Sequence, residues 1–89
     1  MKSVTTDRFR KTLSKLPEGV QENARSAYQE WKHNPNNPSL RFKQVHPQKP
    51  IYSVRVGLSY RELGIKEDNT MIWFWIGSHE DYNNLLAQL

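Results

Sequence analysis

The sequence contains no cysteine, so disulfides, thiolate nucleophiles and thiolate metal sites are excluded at the outset. It also lacks a long apolar run. The longest, Met71–Ile76, is six residues, far short of the ~20 that a bilayer-crossing helix needs. No leader-like segment opens the chain, which makes the cytoplasm the expected compartment and excludes a membrane partner. Internal repeats and low-complexity tracts are missing. Apolar residues are scarce at 36%, so the three Trp, four Tyr and three Phe have to supply much of the buried area. Eighty-nine residues read as one domain, 1–89, with a single core and little stability to spare.

Acidic residues are few where basic ones are many. Residues 1–50 carry ten Lys/Arg against four Asp/Glu, and residues 51–89 carry three against five. A basic first half suits a polyanion or an acidic protein partner, or is simply a solvated helix surface.

The stretch that organises the chain is Thr70–Tyr82, TMIWFWIGSHEDY. Six apolar residues, aromatic and β-branched, predict a strand covered on both faces, in the middle of a sheet. Strict alternation along it would set Trp73 and Trp75 on the face opposite Ile72, Phe74 and Ile76. Gly77 ends the run, and Ser78 with Asp81 forms an S-x-x-D capping box. Tyr82, Leu85, Leu86 and Leu89 then give a helical apolar stripe. His79 is thereby placed in the first turn of a closing helix.

Upstream, Thr5 or Thr6 caps a helix near Asp7–Leu16, with Phe9, Leu13 and Leu16 on one side and Arg8, Arg10, Lys11 and Lys15 on the other. Pro17 and Gly19 break it. A second helix runs to about His33, with Val20, Ala24, Ala27, Tyr28 and Trp31 on one face. Asn34–Ser39 is a linker. Leu40–His46 alternates as a strand, with Val45 out of step. Ile51–Val56 alternates cleanly, Tyr52, Val54 and Val56 against Ile51, Ser53 and Arg55. A further strand starts at Tyr60, and Glu67–Asn69 turns the chain into the apolar run. Short connections imply antiparallel neighbours. The expected architecture is α+β: an N-terminal helical hairpin on a four-stranded antiparallel sheet, closed by a short C-terminal helix.

Four blocks in this order resemble the RelE/ParE superfamily of toxins from type II toxin–antitoxin modules. They are LSKLPEGVQENARSAYQEW at 13–31, PSLRFKQVH at 38–46, YSVRVGLSYREL at 52–63 and WFWIGSHEDYNNLL at 73–86. The resemblance implies a toxin held inactive by a small antitoxin. It also implies one of two targets. RelE-like members enter the ribosomal A site and cut mRNA without a metal, the 2′-hydroxyl attacking the neighbouring phosphate. ParE-like members act on DNA gyrase. Fold alone does not choose between them.

The endonuclease reading assigns residues by that resemblance. Arg55 matches a basic position on the exposed sheet face, and Arg61 the phosphate-clamping arginine. Arg41 and Lys43 add RNA-binding charge. His79 matches a catalytic or substrate-contacting position at a helix N-terminus, which itself offers free N–H groups to a phosphate. Tyr82 matches a stacking or proton-handling tyrosine, with core packing as its plainer role. Ser53 stands where the family's second strand has a basic residue, and Glu62 and Glu80 bring negative charge toward the expected phosphate. No spacing of Asp, Glu or His suggests a metal, and no cofactor is called for. The expected function is a ribosome-dependent mRNA endonuclease; the alternatives are a gyrase inhibitor and a catalytically silent antitoxin-binding relative.

Overall fold

The computed structural model describes residues 1–89. Thr6 is where its chain turns from strand to helix. The Thr6 hydroxyl accepts a hydrogen bond from the Phe9 N–H at 3.1 Å and caps α1 (Asp7–Ser14). Extended backbone before it forms β1 (Lys2–Thr5). After the break at Pro17, α2 (Glu18–His33) buries Ala24, Ala27 and Trp31, spaced so that small residues let the helix approach the sheet. A single 3-10 turn, Pro38–Leu40, follows, with Arg41 in the left-handed region at φ 48°. Then come β2 (Lys43–Gln44), β3 (Ile51–Val56), β4 (Tyr60–Glu67), β5 (Thr70–Ser78) and α3 (His79–Gln88).

The sheet has five strands in the order β1-β5-β4-β3-β2. All neighbours are antiparallel except β1, which runs parallel to β5. The expected count of four strands is thus short by one. The missing strand, KSVT, is too short and too polar to announce itself, and it is held by partners some 70 residues away. The Thr6 N–H donates to the Trp73 carbonyl at 3.0 Å, and the Trp73 indole N–H donates to Ser3 Oγ at 3.1 Å. Two further expectations are corrected. The strand expected over Leu40–His46 shrinks to Lys43–Gln44, because Leu40 and Arg41 belong to the tight turn. The apolar strand β5 is interior, but the middle of the sheet is β4.

Alternation along β5 also fails. Trp73 pairs with Gly64 and Trp75 with Leu63, so Phe74 is an extra residue: a β-bulge. The bulge inverts the pattern halfway along the strand. Met71, Trp73 and Ile76 face α1 and α2, while Phe74 and Trp75 face α3. The two tryptophans therefore lie on opposite faces. Gly64 makes room for the first: a Cβ there would sit 2.7 Å from Trp73 Cε3 and 2.9 Å from Met71 Sδ.

The main core lies between the helical hairpin and the sheet. Trp31 meets Trp73 edge-on at 5.3 Å between ring centroids, and Phe42 stacks on Tyr52 at 5.1 Å. Truncating the fully buried Trp73 to Ala should cost about 3–5 kcal/mol. A smaller core of Ile51, Leu63 and Tyr82, with Leu85 and Leu86 beside it, holds α3 against the other face.

Candidate functional site

The face that carries α3 is where the charged side chains gather. Register places them. Ser53 pairs with Leu63, and Arg55 pairs with Arg61, two residues further along the same face. Arg61 in turn pairs with Gly77, the residue before the cap of α3. On the outer side Lys43 pairs with Ser53. Ser78 caps α3 by accepting from the Asp81 N–H at 3.1 Å, which leaves His79 exposed at the first helical position. The His79 N–H donates to the Ser59 carbonyl at 2.7 Å, fixing the helix start against the β3–β4 turn.

Arg55 and Arg61 are half-buried, and both partly satisfy their guanidinium groups on backbone. Arg55 Nε donates to the Gly57 carbonyl at 3.0 Å, and Arg61 Nη1 donates to the Tyr60 carbonyl at 2.8 Å. Neither meets a carboxylate. The one ion pair in the protein joins Arg10 and Asp7, far away on α1. Partial burial lowers the pKa of Arg61, and the charges of Arg55 and Arg41 lower it further, against an opposing effect of Tyr82. Arg41 and Arg55 are therefore each within electrostatic reach of Arg61. Together with Lys43 the three arginines form a patch of one sign with no internal neutralisation.

Most of the expected residues come together: Arg55, Arg61, His79 and Tyr82 share this end of the sheet, with Arg41 and Lys43 on its exposed margin. The His79 and Tyr82 rings are 5.9 Å apart between centroids. Tyr82 differs in one respect from a surface tyrosine. It is only 6% exposed, and its hydroxyl donates to Ser53 Oγ at 3.2 Å. Ser53, itself buried, is thus the anchor of that phenol. The expectation that Glu62 crowds the phosphate is overturned. Glu62 pairs with Val54 and Ile76 on the hairpin side of the sheet, so its carboxyl lies behind the strand that presents Arg61. Glu80 remains exposed next to His79.

Trp75 was not among the expected site residues. Its indole lies over Gly77, where a Cβ would come within 2.5 Å of the ring, and it stays half-buried beside the residue that pairs with Arg61. The signal for it in the sequence is Gly77, which ends an aromatic run where a larger residue would have pushed the ring away. No three His, Asp or Glu side chains converge in a metal-binding group.

No curated relative matches the chain by sequence. Among solved structures it is similar to the toxin in the RelB–RelE antitoxin–toxin complex of Methanococcus jannaschii, at 19% identity and TM-score 0.68, over 92% of this chain and 96% of that one. It is also similar to YafQ of E. coli, at 10% identity and TM-score 0.70, over 91% and 96%. A YoeB/ParE toxin from Agrobacterium tumefaciens superposes at TM-score 0.69 with 13% identity, over 89% and 99%. At such identities the likeness is one of fold. Sequence carries the assignment: residues 18–84 match the ParE-like toxin domain, and the chain belongs to that family, within the RelE/ParE superfamily of toxin–antitoxin toxins.

Proposed function

We propose that this toxin is a ribosome-dependent mRNA endonuclease that works without a metal and is held inactive by a cognate antitoxin. The observation that carries the reading is the unneutralised cationic patch of Arg41, Lys43, Arg55 and Arg61 bordered by the exposed His79. Cleavage requires the 2′-hydroxyl to attack the adjacent phosphorus while the bond from phosphorus to O5′ breaks. A 2′,3′-cyclic phosphate and a 5′-hydroxyl result. One proton leaves the 2′-oxygen and one reaches O5′. His79 is the exposed group able to carry a proton there, and Arg61 and Arg55 hold the phosphoryl oxygens as charge grows on them. Trp75 offers a ring face for a base, a contact worth about 1–3 kcal/mol. Tyr82 packs beside His79 and steadies its ring.

Two of the similar solved structures, from Methanococcus jannaschii and Mycobacterium tuberculosis, are antitoxin–toxin complexes. They support an antitoxin as partner here, and the basic first half of the chain favours an acidic segment.

A second reading, inhibition of DNA gyrase, is favoured by one observation. The Tyr82 hydroxyl, buried on Ser53, is withdrawn from proton transfer, and a binding protein needs no proton carrier. Two assays separate the readings: cleavage mapping on translating ribosomes and supercoiling by purified gyrase. Cuts in ribosome-bound message that vanish in Arg61→Ala support the endonuclease. Intact message with blocked supercoiling would move gyrase to first place.

A further inference from the structure

Glu62 sits on the middle strand of the sheet and is only 4% exposed. Its neighbours across the ladder are Val54 and Ile76, both apolar. The carboxyl opens into a cavity of about 220 Å³ between the sheet and the two helices. Phe9 and Leu13 of α1 and Ala24 and Tyr28 of α2 line it, with the exposed Arg10 and Arg25 among its lining residues. Arg10 is already engaged by Asp7 and by the Thr5 carbonyl at 2.6 Å. No ion pair reaches Glu62. The carboxyl is nearly buried, has no donor within the protein and borders an open space, where an arriving donor would satisfy it.

We propose that this cavity receives one lysine side chain from an acidic segment of the antitoxin, its ammonium meeting Glu62 and its methylene stem lying among Phe9, Leu13 and Tyr28. The inference rests on the antitoxin reading and names what anchors that partner. The stem matches apolar walls, and the compact head matches a lone carboxyl at the end. At the opening stand the exposed Arg10 and Arg25, and α1 also carries the exposed Arg8 and Lys11. That surround repels a free polyamine, whose second ammonium would remain at the mouth. It attracts a lysine flanked by glutamates.

The pairing has a proton signature. Burial pushes the Glu62 carboxyl up to about 8, so near neutrality it is protonated in the free protein. The other titratable or charged groups lining the cavity are Arg10, Arg25 and Tyr28. An arriving ammonium favours the carboxylate, so Glu62 gives up its proton on binding.

The test titrates the whole chain at pH 7 with the peptide acetyl-Glu-Glu-Ala-Lys-Ala-Glu-Glu-amide and with its norleucine counterpart. The lysine peptide should shift the Leu13 and Ala24 methyl resonances saturably. Calorimetry in two buffers of different ionisation heat should show release approaching one proton per peptide. The norleucine peptide should bind roughly tenfold more weakly or worse, the range for losing a hydrogen-bonded charge. Glu62→Gln should erase that preference. Ala24→Val, which narrows the cavity without touching the carboxyl, should weaken the lysine peptide. Equal binding of the two peptides, or lysine binding without proton release, overturns the proposal. The result is independent of cleavage. A chain that copurifies with its antitoxin yet ignores the lysine peptide loses this anchor alone; a chain that no neighbouring gene product binds loses the antitoxin reading, and this proposal with it.

Discussion

Arg55 and Arg61 stand directly opposite one another across β3 and β4, with no carboxylate between them. Like charges in that position repel, typically by about 0.2–1 kcal/mol. Backbone carbonyls of Gly57 and Tyr60 absorb one donor from each, and the remaining N–H groups are left for an outside anion. A phosphate placed between the two would relieve the repulsion and accept from both.

Removing one arginine should therefore divide stability from activity. Arg61→Ala is expected to unfold at the same or a slightly higher urea concentration, by at most about 1 kcal/mol. Cleavage on translating ribosomes should fall about 10²–10³-fold. Paired urea melts and cleavage assays check this; a variant that loses stability along with activity would mark Arg61 as structural.

His79 is exposed and its side chain makes no hydrogen bond that holds the helix, since the cap belongs to Ser78. His79→Ala should change stability by less than about 0.5 kcal/mol. Its effect on cleavage should be about 10²–10⁴-fold, with one limb of the pH–rate profile lost. An unchanged profile would remove His79 from the chemistry.

The Tyr82–Ser53 hydrogen bond is buried, so deleting either oxygen strands the other. Tyr82→Phe and Ser53→Ala should each cost about 1 kcal/mol, and the double variant less than the two combined. Tyr82→Phe keeps the ring beside His79, and cleavage should stay within about threefold of the parent if the hydroxyl moves no proton. Denaturation and single-turnover cleavage of the same three variants decide the role.

Glu62 makes stability depend on pH in an unusual direction. Its folded pKa, raised by burial to about 8, lies above the ordinary 4.5 of the unfolded chain. Between these values the folded state binds the extra proton, so stability falls as pH rises. The slope should approach about 1.4 kcal/mol per pH unit across pH 5–8, flattening above about 8. Glu62→Gln should flatten the whole range. Urea melts at four pH values check both statements, and a parent without the slope would show that Glu62 is solvated or paired in solution.

Much of this was legible in the chain. A threonine cap at Thr5 or Thr6, the Ser78 cap, the break at Pro17 and the clean alternation of Ile51–Val56 are local, and each declares itself through its own backbone and its nearest neighbours. The α+β class and the two helices under the sheet follow from them, and so does the grouping of Arg55 with Ser53 on one face. The resemblance of the sequence blocks to the RelE/ParE superfamily agreed with the family match.

What only the tertiary structure decided is non-local. β1 exists because β5 supplies the partners for KSVT, and no pattern within four polar-rich residues encodes that pairing. The bulge at Phe74 depends on where β4 is anchored, so the faces of Trp73 and Trp75 could not be read from alternation. Glu62 looks like any charged residue on a strand, and nothing local says that it turns into a cavity beneath two helices. A sequence specifies the period of each element by short-range sterics and hydrogen bonding. Register and facing are set by contacts made across the whole chain, and those arise only when the elements meet.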